Sequence, residues 1–135
     1  MTGQTGEKKV IAYAEDYPGI RDMMQMTLRK AYGETYNIEV FKDGDGLSKR
    51  LEKEAIGPSG LVVVLTDNNM PGAKGIEIIR KYSPQLLGVR FVLNTLDPVP
   101  ADEFVRAGGY SMLEKPARIK KVIEVMNDAL GISEE

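Results

Sequence analysis

Acidic side chains follow two short segments of strand-like sequence, at the points where those segments end. Asp67 comes directly after the run 61–66, which is aliphatic except for its last residue. Glu15 and Asp16 follow the apolar segment 10–14 in the same way. A carboxylate at the edge of an apolar core costs free energy unless it is paired with a cation or bound to a metal ion. These three acids are therefore the first candidates for a functional site.

A lysine and a hydroxyl extend this set, because Lys115 and Thr95 also follow apolar segments. Asn94 competes with Thr95 for the same place. Two like charges about 4 Å apart repel by about 4 kcal/mol at an effective dielectric of about 20. Three neighbouring carboxylates therefore stay ionised together only if a cation joins them. An all-oxygen ligand set favours Mg²⁺, and Mn²⁺ would also be tolerated.

The composition limits the chemistry that the chain can perform. Its 135 residues fit one domain, and they include neither cysteine nor histidine. Serine–histidine catalysis, thiolate or imidazole metal sites and a phosphohistidine are therefore excluded within this chain. The lack of cysteine fits a reducing compartment, so we expect a cytoplasmic protein. A net charge of −2 gives no signal for nucleic acid or a membrane surface, and no apolar stretch is long enough to span a bilayer.

Strand-like and helix-like segments alternate along the chain. This alternation predicts an α/β protein with a doubly wound, five-stranded parallel sheet, most simply in the order 2-1-3-4-5. Strands 1 and 3 are then neighbours, so their terminal acids would share one crevice at the carboxyl edge of the sheet. Residues 43–46 are expected to form a turn. The predicted strands are 10–14, 37–41, 61–66, 89–94 and 110–114, and the predicted helices are one that begins near Pro18, then 47–55, 76–82, 101–107 and 119–130.

The first predicted helix is unusually rich in methionine. Residues at helical spacing predict a stripe that faces the core. We interpret its methionines as core residues or helix filler, since methionine adapts to irregular gaps. The stripe comprises Ile20, Met24, Leu28 and Ala31, with Met23 and Thr27, and Met26 is the third methionine of this helix.

Taken in order, these motifs resemble the receiver domains of response regulators in two-component signalling, and the single-domain chemotaxis type most. The resemblance spans about residues 8–131, so residues 1–7 would be a frayed N-terminus and residues 132–135 a C-terminal tail. It implies a flavodoxin-like (βα)₅ fold. It rests on Glu15-Asp16, the segment 67–72, Gly75, Thr95 and Lys115-Pro116.

The resemblance implies a role for each site residue. Asp67 would accept a phosphoryl group from a sensor histidine kinase or a histidine phosphotransfer protein. Asp16, Asp67 and the backbone carbonyl of Asn69 would bind Mg²⁺, and Glu15 would act through metal-bound water. Lys115 would pair with a phosphoryl oxygen. The chain would be a switch rather than an enzyme, with only Mg²⁺-dependent self-phosphorylation from a donor and slow autodephosphorylation.

The resemblance also implies how the signal leaves the site. Thr95 would hydrogen-bond the phosphoryl group and alter the face formed by helix 4, strand 5 and helix 5, where a downstream target protein would bind. The protein would act as a monomer or as a phosphorylation-dependent dimer. The bond between Lys115 and Pro116 is expected to be cis.

The chain departs from the family pattern at three places. Leu96 stands where a small residue is usual, and it would restrict access to the phosphoryl group. Met112 replaces the usual aromatic switch residue, so a tyrosine-style in/out movement is not expected here. The loop after strand 4 is shorter than in the chemotaxis type and contains Pro98 and Pro100.

Other functions use a similar arrangement of residues. A flavodoxin-like cofactor binder must cradle a phosphate in its first loop, where Glu15 and Asp16 would repel it. A phosphatase with an aspartate nucleophile generally has a second acid two residues further on, where this chain has Asn69. A receiver-shaped interaction module that is never phosphorylated is the alternative that stays open.

Overall fold

The computed structural model describes residues 8–133, which form five parallel strands flanked by five helices. The strand order is β2-β1-β3-β4-β5, as predicted. The predicted N-terminal segment 1–7 lies outside the described residues, as do 134 and 135 of the predicted tail. The elements are β1 Lys9–Ala14, α1 Pro18–Tyr32, β2 Tyr36–Phe41, α2 Gly44–Ile56, β3 Leu61–Asp67, α3 Gly75–Tyr82, β4 Arg90–Thr95, α4 Ala101–Ala107, β5 Ser111–Glu114 and α5 Ile119–Leu130.

Both faces of the sheet are covered, which explains why its strands are nearly continuous apolar runs. Successive strand residues point to opposite faces. In β1, Ala12 and Ala14 pack with residues of α2, α3 and α4, whereas Ile11 and Tyr13 pack with α1 and α5. The same alternation in β3 places Val64 on the first side and Leu65 on the second. A strand buried on both sides is the pattern of a parallel sheet between helical layers.

Helix α1 buries less of its surface than the sequence predicts. Leu28 and Tyr32 are buried, but Ala31 is exposed. Tyr32 lies one helical turn after Leu28 and takes the inward position, and its hydroxyl donates a 2.8 Å hydrogen bond to Oδ1 of Asn127 in α5. The interpretation of Met23 and Met26 as core residues is wrong, since they are 60% and 72% exposed.

The turn predicted at residues 43–46 is instead the beginning of α2. Asp43 caps the helix, and its Oδ1 accepts a 2.8 Å hydrogen bond from the backbone N–H of Gly46. Such a cap satisfies a donor that has no partner within the helix. A side chain at Gly44 would collide with the backbone oxygen of Ala73. Asp and Gly favour both turns and helix starts, which is why the sequence pattern was ambiguous here.

The buried carboxylate of Glu54 links the C-terminal end of α2 to the start of β3 through hydrogen bonds. Glu54 is 4% exposed and accepts hydrogen bonds from Arg50 at 2.9 Å, from the Ser59 hydroxyl at 2.8 Å and from the backbone N–H groups of Ser59 and Leu61 at 3.0 and 3.3 Å. Burial disfavours its ionised form, but the bonds from Ser59 and Arg50 outweigh this and lower the pKa of Glu54. No sequence pattern indicated this cluster.

None of the helices within residues 8–133 combines the length and the apolar character needed to cross a membrane.

Candidate functional site

Three acids meet at the carboxyl edge of the sheet because β1 and β3 are paired neighbours. Carboxylate oxygens of Glu15, Asp16 and Asp67 all lie within 4.8 Å of one another. Glu15 and Asp67 are buried, with exposures of 1% and 5%, whereas Asp16 reaches solvent. The structure therefore brings together the three acids that the sequence singled out. Three carboxylates with no nitrogen or sulfur ligand form a donor set that fits a hard cation such as Mg²⁺.

Lys115 lies between two of these acids. Its Nζ is 3.0 Å from Oε1 of Glu15 and 3.2 Å from Oδ1 of Asp67. Burial raises the pKa of Glu15 and the charge of Asp67 adds to this, although the hydrogen bond from Lys115 opposes it. For Lys115, burial alone would lower the pKa, but the two carboxylates outweigh burial and raise it. One ammonium therefore partly neutralises a cluster of three acids and leaves it net negative.

We expect a Lys115→Met substitution to destabilise the protein by about 2 kcal/mol near pH 8, because it leaves two buried carboxylates without a counter-charge. The loss should shrink on acidification. Without Lys115 the pKa of Glu15 rises further, so Glu15 is neutral at low pH. The repulsion between the carboxylates of Glu15 and Asp67 then appears only as the pH rises through the pKa of Glu15. Urea unfolding at a series of pH values measures the effect. Lys120→Met on the exposed side of α5 is the control, and an equal loss at every pH would contradict the prediction.

The loop that carries Glu15 and Asp16 is held by groups that sequence reasoning missed. The guanidinium of Arg21 in α1 donates to the backbone oxygens of Glu15 at 3.0 Å and Asp16 at 3.2 Å. The backbone N–H of Tyr17 donates to Oε2 of Glu15 at 3.2 Å. The only available signal was an arginine one turn into the helix, which is too common to be informative.

The segment after β3 fixes the position of Asp67. The N–H of Asn68 donates to Oδ1 of Asp67 at 2.7 Å, and Oδ1 of Asn68 accepts from the N–H of Ile76 at 2.9 Å. A side chain at Gly75 would collide with the carbonyl oxygen of Asp67, so this position requires glycine. Asn69, whose carbonyl was expected to be a metal ligand, is exposed in the segment that follows Asp67.

Thr95 and Asn94 end β4 with different surroundings. Asn94 pairs in register with Asp67 and is 4% exposed, and its Oδ1 has no hydrogen-bond partner within residues 8–133. Thr95 is fully buried, and its hydroxyl donates to the carbonyl oxygen of Asp97 at 3.0 Å. The Tyr13 hydroxyl, beneath the acids in β1, is also buried without a partner among the described residues. Burial and then the charges of Glu15 and Asp67 raise the pKa of Tyr13.

The residues at which the chain departs from the family pattern lie in β5 and in the loop between β4 and α4. Leu96 is 63% exposed, so its side chain stands at the surface beside Thr95. Met112 is half-buried and packs against the core shared by α2, α3 and α4. Helix α4 begins directly after Pro100. The bond between Lys115 and Pro116 is cis, as the resemblance implied.

Comparison with known proteins agrees with the fold and identifies a family. The response regulator receiver domain family matches residues 11–127. Chemotaxis protein CheY4 of Vibrio cholerae is 21% identical with a TM-score of 0.75, over 90% of this chain and 98% of CheY4. A CheY-like receiver domain protein from Methanospirillum hungatei is 18% identical with a TM-score of 0.76, over 93% and 95% of the two chains. The activated DrrB receiver domain of Thermotoga maritima is 20% identical with a TM-score of 0.74, over 92% and 98%. No curated protein matches the chain significantly.

The fold is thus that of a receiver domain. Because the family match covers most of the sequence, the chain belongs to the response regulator receiver domain family of two-component signalling. The structural neighbours are too distant in sequence to establish more than the shared fold.

Proposed function

We propose that the chain is a phosphoacceptor of a two-component system or phosphorelay, and that Asp67 takes a phosphoryl group from a phosphohistidine donor. The observation that carries this proposal is the position of Lys115, which lies 3.2 Å from Asp67 while Glu15 and Asp16 crowd the same edge. A buried carboxylate that shares an ammonium with Glu15 and has two further acids within 4.8 Å suits transfer of an anionic group with the help of a cation.

Each residue would contribute to the transfer in a defined way. A carboxylate oxygen of Asp67 attacks phosphorus as the bond from phosphorus to the donor's ring nitrogen breaks. The donor histidine, whose other ring nitrogen carries a proton, then leaves with a neutral imidazole. Lys115 would keep its charge and pair with a phosphoryl oxygen. Bound Mg²⁺ would neutralise charge on the transferring group. Asp16, Asp67 and the carbonyl of Asn69 would hold the ion, with Glu15 acting through water.

Thr95 would transmit the effect of phosphorylation at Asp67 to the surface of the protein. Its hydroxyl would exchange the carbonyl of Asp97 for a phosphoryl oxygen, which would shift the loop that leads into α4. The face formed by α4, β5 and α5 would then bind a downstream target protein, with the chain acting as a monomer or as a dimer formed on phosphorylation. A sensor histidine kinase or a histidine phosphotransfer protein would be the donor.

A small phosphodonor tests the proposal without the cognate kinase. Purified protein incubated with acetyl phosphate and Mg²⁺ is expected to gain one phosphoryl group by intact-mass analysis, because Asp67 is the acceptor and the cation lowers the repulsion at the site. EDTA should prevent the gain, and Mn²⁺ should restore it. An unchanged mass with Mg²⁺ would contradict the proposal and favour an interaction module that is not phosphorylated.

A further inference from the structure

A cavity of about 180 Å³ lies between α1 and α5, on the face of the sheet that these two helices cover. Its lining includes Lys115, so the cavity adjoins the acidic edge. An engineered apolar cavity of about 150 Å³ is known to stay dry and to bind benzene, so the space here suits one aromatic ring. Met23 lines the cavity and is 60% exposed, so the cavity has access to solvent. The other lining residues are Ile20, Met24, Thr27, Asn94, Lys115, Pro116, Ala117, Ile119 and Val122.

One side chain in this apolar wall has an unused hydrogen-bonding group. Asn94 is only 4% exposed, and its Oδ1 has no partner within residues 8–133. A buried acceptor without a partner is destabilising. A ligand that donates a hydrogen bond to it therefore gains more binding free energy than it would from the same bond at the surface. The amide also rotates about its last side-chain bond, which lets its oxygen turn toward an occupant.

The charges of the wall indicate that the occupant is neutral. Lys115 also lines the cavity, but its ammonium is engaged by Glu15 at 3.0 Å and Asp67 at 3.2 Å. It therefore leaves no free positive charge that would require an anion. An anionic ligand would also meet the field of the nearby acids. The remaining walls are mainly aliphatic or thioether, and methionine adapts its shape to a ring.

We propose that this cavity binds a neutral, single-ring aromatic molecule that carries one O–H or N–H group, which donates to Oδ1 of Asn94. Such a ligand would touch Pro116 and Ala117, which directly follow the lysine that holds Asp67. The site is therefore placed to couple ligand binding to the state of the acidic edge, and any coupling must be reciprocal. Binding itself does not depend on phosphoryl transfer and is measured without a phosphodonor.

Phenol and toluene, which have nearly the same shape, are the probes, and methyl NMR of the full chain is the measurement. Phenol is expected to shift the methyl signals of Ile20, Met24 and Val122 saturably, with a dissociation constant of about 1 mM or tighter. Ala117→Met should fill the cavity and weaken phenol binding at least about tenfold, and Thr27→Met is a second filling variant if the first does not fold. Ala101→Met on the exposed start of α4 should leave binding unchanged.

The hydrogen bond has its own test. Asn94→Leu should weaken phenol binding about fivefold and leave toluene binding the same or tighter, since only phenol donates to the amide. Equal weakening of both probes would overturn the assignment of Asn94. Shifts that never saturate, or that Ala117→Met and Thr27→Met leave unchanged, would overturn the cavity as a binding site. None of these outcomes bears on whether acetyl phosphate modifies the protein.

Discussion

An Asp67→Asn variant is expected to gain no phosphoryl group from acetyl phosphate and Mg²⁺ under conditions in which the wild type gains one. The amide lacks the negatively charged oxygen that attacks phosphorus. The fold should survive, because the amide oxygen can still accept the hydrogen bond that Asn68 now donates at 2.7 Å. Removal of one of three crowded negative charges offsets the lost contact with Lys115. We therefore expect the free energy of unfolding without divalent cations to change by less than about 1 kcal/mol.

Intact-mass analysis and urea unfolding measure the two halves of this prediction. Asp22→Asn, at an exposed position of α1, is the matched control and should gain the phosphoryl group as the wild type does. A phosphoryl group on the Asp67→Asn variant would show that another residue is the acceptor. An unfolded variant would instead show that the charge of Asp67 is needed for stability.

The second large effect is a loss of stability, and it is expected from a substitution at Glu54, far from the acidic edge. Glu54→Ala should lower the free energy of unfolding by about 3 kcal/mol at pH 7, and the melting temperature by roughly 10 °C. The substitution leaves the backbone N–H groups of Ser59 and Leu61 without their carboxylate acceptor, and it removes one of the two carboxylates that pair with the guanidinium of Arg50, the other being Glu39. Buried donors that lose their partner carry the full cost of their lost hydration.

The pH dependence separates this mechanism from a simple packing defect. The pKa of Glu54 is lowered in the folded state from its ordinary value of 4.5. Its stabilising contribution is therefore complete above that value and is lost as the pH falls through the lower, folded pKa. The difference between wild type and Glu54→Ala should accordingly shrink below pH 4.5. Glu52→Ala, exposed on the same helix, should cost little at any pH, and a constant difference for Glu54→Ala would argue against the ionic cluster.

The sheet was predictable because its signal is local and repeated. Runs such as 61–66 carry enough β-branched and aliphatic residues to exclude a turn, and their alternation with helical stripes fixes a parallel order. Helix ends were less predictable. The sequence predicts a start of α2 at residue 47, later than the observed Gly44, because Asp43 and Gly44 favour turns and helix starts alike. The exposure of Met23 and Met26 depends on how α1 packs in the folded protein, which no local pattern encodes.

The convergence of the three acids could be predicted from the strand order, but the contacts of the residues around them could not. Once β1 and β3 are neighbours, Glu15, Asp16 and Asp67 must converge at one edge. The contacts of Arg21 with the acidic loop depend on the angle at which α1 leaves β1. The buried amide of Asn94, whose Oδ1 has no partner within residues 8–133, is likewise a product of tertiary packing, since its sequence context is only a polar residue near the end of a strand.

The pairing of Lys115 with Glu15 joins residues separated by 100 positions in the chain. In the sheet, β3 and β4 lie between the two strands that these residues follow. During synthesis on the ribosome, the acids therefore emerge long before their counter-charge is available. A nascent or C-terminally shortened chain that ends before β5 would lack the ammonium that neutralises Glu15 and Asp67. The arrangement of three acids and one lysine therefore forms only after nearly the entire domain has been translated and folded.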